Sequence, residues 1–192
     1  MKKSREGIAV NEILALIASF IAMGFVVAAY FVKKKEYYLL CQLICVGFLV
    51  LSYLFSAQYF AVIGLSVGMF RTLTFFYYER KEKFAPIVWS FVFSALTLGA
   101  YFLVNFAILK TAQPLDIVCL VGLVLYAFIF RIRNLRIVRF AMLIPTVLFI
   151  FFNALTGAAI FATLTYVFEL VANLTAIVKD YMLGRSKAKS KC

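Results

Sequence analysis

The sequence predicts an all-α membrane protein with seven transmembrane helices. Of its 192 residues, 66% are hydrophobic, whereas ordinary soluble domains are about 45–50% apolar. Uninterrupted apolar runs of about 20 residues recur along the chain, and each can cross a bilayer at a rise of 1.5 Å per residue. Because the runs are continuously apolar rather than alternating, they favour helices over the strands of a barrel.

The seven predicted spans follow one another with short connections. They are Ile8–Val32, Tyr37–Phe55, Tyr59–Tyr78, Phe84–Val104, Leu115–Phe130, Ile137–Asn153 and Ala158–Ile177. The first is interpreted as a retained span, because its apolar stretch is longer than the roughly 7–15 residues of a signal-peptide core. Pro86 falls in the first turn of the fourth span, where a missing N–H matters little. Pro145 lies in mid-span and predicts a kink in the sixth helix.

The basic residues predict the orientation of the chain. One side of the membrane receives Lys33, Lys34, Lys35, Arg80, Lys81, Lys83, Arg131, Arg133, Arg136, Lys179, Arg185, Lys187, Lys189 and Lys191, and the other receives Lys2, Lys3, Arg5 and Lys110. Since the basic side faces the cytoplasm, the N-terminus is expected outside and the C-terminus inside. Residues 181–192 form a basic cytoplasmic tail whose GRSKAKSKC end is expected to be disordered.

The net charge of +12 could suggest nucleic acid as a partner, but its distribution argues against that function class. A nucleic-acid-binding protein needs a basic face with interleaved aromatic residues on a soluble fold. Here the basic residues fall in short clusters between apolar runs, as orientation determinants do. The expected partners are the lipid bilayer and a small polar solute.

The layout of the loops predicts an internal repeat within a single transmembrane domain. Repeat one covers residues 8–78, repeat two covers 115–177, and a linker helix at 84–104 joins them. An offset of 98 residues superposes the two units without gaps and places Arg71 opposite Glu169. Two three-span units separated by one extra helix must be parallel, and in transporters built this way the substrate lies near the midplane.

Arg71 and Glu169 are the main candidate site residues. Each lies about 16–18 Å into its span, near the centre of a hydrocarbon core about 30 Å thick. Charge at that depth costs about 2.5–3.5 kcal/mol per residue on insertion scales. The sequence leaves two interpretations open: a buried ion pair that ties the repeats together, or the floor of a central polar site.

Three neutral polar residues complete the predicted substrate-binding set. Asn173 follows Glu169 by four residues on the same helix face, and Gln42 and Asn153 lie in the second and sixth spans. For each of them an interhelical hydrogen bond is the alternative role. Gly64 and Gly68 form a GxxxG step, which predicts either close helix packing or backbone that lines a narrow cavity.

Catalytic and metal chemistry find little support in the sequence. The chain has no histidine, and three of its four cysteines (Cys41, Cys45 and Cys119) lie inside spans, where buried thiols are the simplest interpretation. No nucleophile with an adjacent base is recognisable. We therefore expect neither an enzyme nor a cofactor. The leading hypothesis is a transporter of a small polar solute that works by alternating access. The alternative is a non-transporting membrane scaffold or partner-binding protein.

The three-plus-one-plus-three layout resembles that of the SWEET and PQ-loop transporters and of related vitamin transporters. It departs from the PQ-loop signature, because no Pro-Gln pair occurs in the first or fifth span. At residue level the informative positions are Arg71-Thr72-Leu73, Phe130-Arg131-Ile132-Arg133, Asn153, Gly157 and Asn173. Through these residues the chain resembles the YgjV family of bacterial inner-membrane proteins. The resemblance implies a multi-pass protein of the bacterial inner membrane with seven spans.

Overall fold

A computed structural model describes residues 2–55, 59–103, 115–156 and 160–189 of the chain. Within those residues the helices are α1 (Lys2–Phe31), α2 (Lys35–Phe55), α3 (Tyr59–Arg80), α4 (Ile87–Phe102), α5 (Asp116–Ile129), α6 (Leu135–Thr156) and α7 (Ile160–Lys189). They agree with the predicted spans in number and order. Lys110, Gly157, Cys192 and the last residue of the predicted fourth span lie outside the described residues.

The helices have the length, composition and surface of a membrane protein. Within the described residues, the segments Ile13–Phe31, Lys35–Phe55 and Leu135–Leu155 are long and apolar enough to cross a bilayer, and α4 and α5 are shorter apolar helices. Large apolar side chains such as Phe20, Phe91 and Phe140 are more than half exposed on the outer surface. Such a surface is stable against lipid tails rather than water. The fold is therefore that of a helical membrane protein.

Two helix ends differ from the predicted boundaries. α1 begins at Lys2 rather than Ile8, and α7 continues to Lys189. The expectation of a disordered tail is therefore wrong as far as Lys189. Extending an existing helix avoids the cost of nucleation, and lysine, arginine and alanine are good helix formers. α6 continues on both sides of Pro145, and the kink there stays a prediction.

The helices pack in a ring. Each described helix packs on its neighbours in the chain, and α7 packs on α1 to close the ring. α4 lies at the outside, since α3 and α5 also touch each other at the centre through a hydrogen bond from Arg71 to the backbone of Leu123. Buried Ser90 fixes α4 by donating a hydrogen bond to the carbonyl oxygen of Ala127 in α5, at 2.8 Å. Six helices are thus left to surround the centre.

Ion pairs join neighbouring helices where the basic loops lie, which we call the basic end. Lys35 at the start of α2 pairs with Glu79 near the end of α3, with 2.8 Å between Nζ and Oε2. Arg139 near the start of α6 pairs with Asp180 in α7, with 2.5 Å between Nη1 and Oδ2. Ion pairs therefore link α2 to α3 and α6 to α7 at the basic end.

Candidate functional site

Arg71 lies within α3 and points into the centre of the ring. It is only 5% exposed. Its Nη1 donates a hydrogen bond to the carbonyl oxygen of Leu123 at 2.8 Å, and its guanidinium carbon lies 5.3 Å and 5.4 Å from the ring centres of Tyr126 and Phe130. All three partners belong to the α5 region, so one hydrogen bond to a carbonyl group and contacts with two aromatic rings stabilise the guanidinium group. The Nε donor has no hydrogen-bond partner in the described part of the chain.

Glu169 lies within α7 and is 3% exposed. Its Oε1 accepts a hydrogen bond of 2.6 Å from the hydroxyl group of Tyr30 in α1. Gln42 of α2 is buried at the same cavity, and no described residue accepts a hydrogen bond from its Nε2. A carboxyl group and an amide donor therefore occur together on this side of the centre.

Arg71 and Glu169 do not pair with each other. The ion pairs within 4 Å in the described residues are the two at the basic end. Instead, both side chains line one central cavity of about 50 Å³, to which every helix except α4 contributes. A water molecule needs about 10–15 Å³ of such volume, so the cavity has room for about three to five. Of the two interpretations of these charges, a direct ion pair is absent, and the two side chains instead share a cavity whose lining is mostly apolar.

Gly64 and Gly68 line this cavity. A Cβ atom added at Gly64 would lie 4.0 Å from Leu123, and one at Gly68 would lie 3.5 Å from Nη2 of Arg71. Both distances are ordinary van der Waals contacts. The GxxxG step therefore lines a cavity rather than marking a close contact between helix backbones. Among the described glycines, Gly122 of α5 is the tightly packed one, because a Cβ there would lie 3.1 Å from the ring of Phe149.

Two of the predicted site residues lie away from the cavity. Asn173 is fully buried, and its Nδ2 donates a hydrogen bond of 2.8 Å to the carbonyl oxygen of Arg139 in α6. This is the interhelical bond that the sequence left open as its alternative role. Asn153 is buried in α6 and is not among the lining residues of the cavity. The structure thus brings together Arg71, Glu169 and Gln42.

A second and much larger cavity, which we call the vestibule, lies at the basic end. Its volume is about 780 Å³. Its charged lining residues are Lys33, Lys34, Lys35, Glu36, Glu79, Arg80, Glu82, Arg133, Arg136, Arg139, Lys179 and Asp180. The lining therefore carries an excess of positive charge and is formed by the ends of α1, α2, α3 and α6, by an inner stretch of α7 and by the basic loops.

An aromatic layer of Tyr30, Tyr38 and Phe130 lies where the vestibule and the central cavity meet. The ring centres of Tyr30 and Tyr38 are 5.6 Å apart, and those of Tyr38 and Phe130 are 6.3 Å apart, both in edge-to-face contact. Tyr30 lines the vestibule, and its hydroxyl group bonds to Glu169, which lines the central cavity. Phe130 lines the cavity from α5. The two spaces are thus adjacent and are separated by buried aromatic rings.

Sequence reasoning missed several residues of this arrangement. Tyr30 is one of 11 tyrosines, and nothing in its local sequence marks it as the partner of a buried carboxylate. Tyr126 is hidden in the same way within an apolar run. Arg139 did carry a signal, because it is a charged residue inside the sixth span, as Arg71 is inside the third. In the structure Arg139 forms the ion pair with Asp180 and lines the vestibule.

The expectation of buried thiols is confirmed for Cys45, which lines the central cavity and is only 2% exposed. Cys41 and Cys119 are only partly buried. Within the described residues, no three His, Cys, Asp or Glu side chains come together as they would around a metal ion.

The comparisons with known proteins point to one family. Neither the curated proteins nor the solved structures give a match. A family model described as a bacterial inner membrane protein, Imp-YgjV, matches residues 13–183. This match covers most of the chain and confirms the resemblance to the YgjV family, together with multi-pass localisation in the inner membrane. The chain belongs to the YgjV family of bacterial inner-membrane proteins.

Proposed function

We propose that this protein transports a small polar solute across the bacterial inner membrane by alternating access. The observation that carries the proposal is the shared central cavity of Arg71 and Glu169. Two opposite charges buried in a membrane protein would be expected to neutralise each other if their role were only structural. These two instead face a common space that has room for water, and intramembrane charge of that kind is typical of substrate and ion pathways.

The polar groups around the cavity suggest how a solute would be held. Nε of Arg71 and Nε2 of Gln42 are donors without a partner in the described residues, and they suit an anionic or hydroxyl group. The carboxylate of Glu169 suits a cationic or hydroxyl group. A solute with hydrogen-bond acceptors on one side and donors on the other could therefore bond to Arg71 and Gln42 and to Glu169 at the same time. We propose no catalytic step and no cofactor for this site.

The contacts between helices support two moving units, α1–α3 and α5–α7. Arg71 on the third helix of one unit bonds to α5, which is the first helix of the other. Glu169 on the third helix of the second unit bonds to α1, which is the first helix of the first unit. In each case the third helix of one unit is bonded to the first helix of the other, so the two connections correspond at the level of helices. In the proposal, α4 joins the units, and the two bonds break and form again as the units move.

The orientation follows from the positive-inside rule, with the N-terminus outside and the C-terminus in the cytoplasm. The vestibule then faces the cytoplasm, and the aromatic layer closes the central cavity toward it. This arrangement corresponds to a closed state in which the path from the cytoplasm stops at Tyr30, Tyr38 and Phe130.

The test is solute-dependent thermal stabilisation of the purified protein, followed by uptake into liposomes. Sugars, nucleosides, vitamins and amino acids are screened with the wild type, with Arg71→Leu and with Glu169→Gln. Lys83→Gln serves as the control, because Lys83 is an exposed charge that does not line the central cavity. We expect a solute that stabilises the wild type and the control but neither cavity variant, and that enters liposomes containing the wild type. If no solute stabilises the protein and none is taken up, the transport proposal is wrong and a scaffold or partner-binding role is favoured.

A further inference from the structure

We infer that the vestibule at the basic end is a binding site for an anion that carries phosphate. Its volume of about 780 Å³ falls within the range of about 300–1,000 Å³ that is typical of ligand sites. That volume exceeds the needs of a lone phosphate, so the ligand carries its phosphate group on a larger body. The inference concerns binding alone and does not depend on transport.

The charges of the vestibule are unevenly paired. Glu79 and Asp180 are engaged by Lys35 and Arg139. The remaining basic side chains form no ion pair within 4 Å in the described structure and face only two further acidic residues, Glu36 and Glu82. These basic residues are Lys33, Lys34, Arg80, Arg133, Arg136 and Lys179. A concave surface lined by charge of one sign concentrates its field and attracts multivalent counter-ions.

Orientation of the chain in the membrane does not account for this arrangement. Orientation requires basic residues in the loops on one side of the bilayer, and solvated side chains suffice for that. Arg139 and Lys35 are instead only 6% and 7% exposed, although both line the vestibule. Burying them costs hydration free energy, which the ion pairs offset only in part.

Arg139 is held in a fixed position at the wall of the vestibule. Its Nη1 bonds to Asp180, and its Nη2 donates a hydrogen bond of 2.8 Å to the carbonyl oxygen of Val32. Its buried Nε has no hydrogen-bond partner among the described residues. A guanidinium group fixed at the wall, beside several lysine and arginine side chains that form no ion pair, is a combination that recognises phosphate oxygens.

Inorganic pyrophosphate is the soluble probe for this site. Its affinity is measured by isothermal titration calorimetry on the detergent-purified protein at constant ionic strength. The test variant is Arg136→Gln with Lys179→Gln, two exposed residues of the vestibule. The matched control is Lys81→Gln with Lys83→Gln, which removes the same charge from the same end outside the vestibule. Each lost contact should weaken binding about fivefold, so we expect the test variant to bind about 25-fold more weakly and the control to change less than twofold.

A lipid headgroup is the other source of phosphate, and a second measurement distinguishes it. Native mass spectrometry counts phosphatidylglycerol molecules that stay bound to each protein after extraction from nanodiscs. Saturable pyrophosphate binding that the test variant weakens supports a soluble ligand. Retained phosphatidylglycerol that the test variant loses and the control keeps supports a headgroup in the vestibule. If neither probe binds, or if both double variants lose binding equally, the inference is overturned.

Discussion

Replacing Arg71 by leucine separates a structural role of this residue from a functional one. The change removes a charged hydrogen bond to the carbonyl oxygen of Leu123, a loss of about 1.5–3 kcal/mol, and cation–π contacts of about 2 kcal/mol. It also removes the cost of about 2.5–3.5 kcal/mol for arginine in mid-membrane and gains about 0.5 kcal/mol for leucine. These terms nearly cancel. We expect the free energy of unfolding to change by less than about 2 kcal/mol.

Arg139→Leu is the matched comparison, because Arg139 is equally buried but paired. Its loss leaves Asp180 and the carbonyl oxygen of Val32 without their charged donor. Because Arg139 lies near the end of its helix, removing its charge recovers little of the free energy that a charge costs in mid-membrane. We expect this variant to lose about 2–3 kcal/mol of stability.

Both variants are measured by SDS-induced unfolding in mixed micelles, and the binding of a stabilising solute is measured in parallel. Arg71→Leu should keep its fold while binding the solute about 10–100-fold more weakly, as the loss of one charged hydrogen bond predicts. If Arg71→Leu is instead destabilised as much as Arg139→Leu, Arg71 serves the fold, and the reasoning from its shared cavity is refuted.

Two further predictions concern the packing around the cavity. Tyr30→Phe should lower the free energy of unfolding by about 1.5–3 kcal/mol, because it removes the hydrogen-bond donor of the buried Glu169 side chain. Tyr38→Phe should change it by less than about 0.5 kcal/mol, since the Tyr38 hydroxyl group has no hydrogen-bond partner in the described residues. Equal effects of the two variants in the same unfolding assay would contradict the role given to Tyr30. Gly122→Ala should cost about 1–3 kcal/mol because the new methyl group meets the stacked ring of Phe149. Gly47→Ala places no atom within 4 Å of the new methyl group, so it should raise the free energy of unfolding by up to about 1 kcal/mol. If Gly122→Ala and Gly47→Ala shift the melting temperature in the same direction, this distinction is wrong.

The sequence was sufficient to predict the helices and part of the cavity. Long apolar runs fix the number and order of helices, because only a helix satisfies its backbone within lipid. Arg71 and Glu169 were recognisable because isolated charges are costly in such runs. Gln42 was among the polar residues considered, and it proves to line the same cavity.

The direction in which each side chain points and the contacts between residues distant in the chain could not be predicted from the sequence. Asn173 lies four residues from Glu169, which places it about 40° around the helix and about 6 Å along it. That displacement is enough to turn it from the cavity to the backbone of α6. The bond between Tyr30 and Glu169 joins residues from opposite ends of the chain, and no local pattern specifies it. The vestibule likewise depends on how several helix ends come together.

The central claim, that the cavity between the two units opens to water, can be tested without knowing the solute. Two variants keep one native cysteine each, Cys45 or Cys41, with the other cysteines replaced by serine. Cys45 lines the cavity and is 2% exposed, while Cys41 is more exposed but does not line it. A small charged methanethiosulfonate reagent that cannot cross the membrane is added on the side of the basic loops. We expect this reagent to modify Cys45 in the folded protein faster than Cys41. If Cys45 stays unmodified under conditions that label the unfolded protein fully, the centre does not open to water and the claim is contradicted.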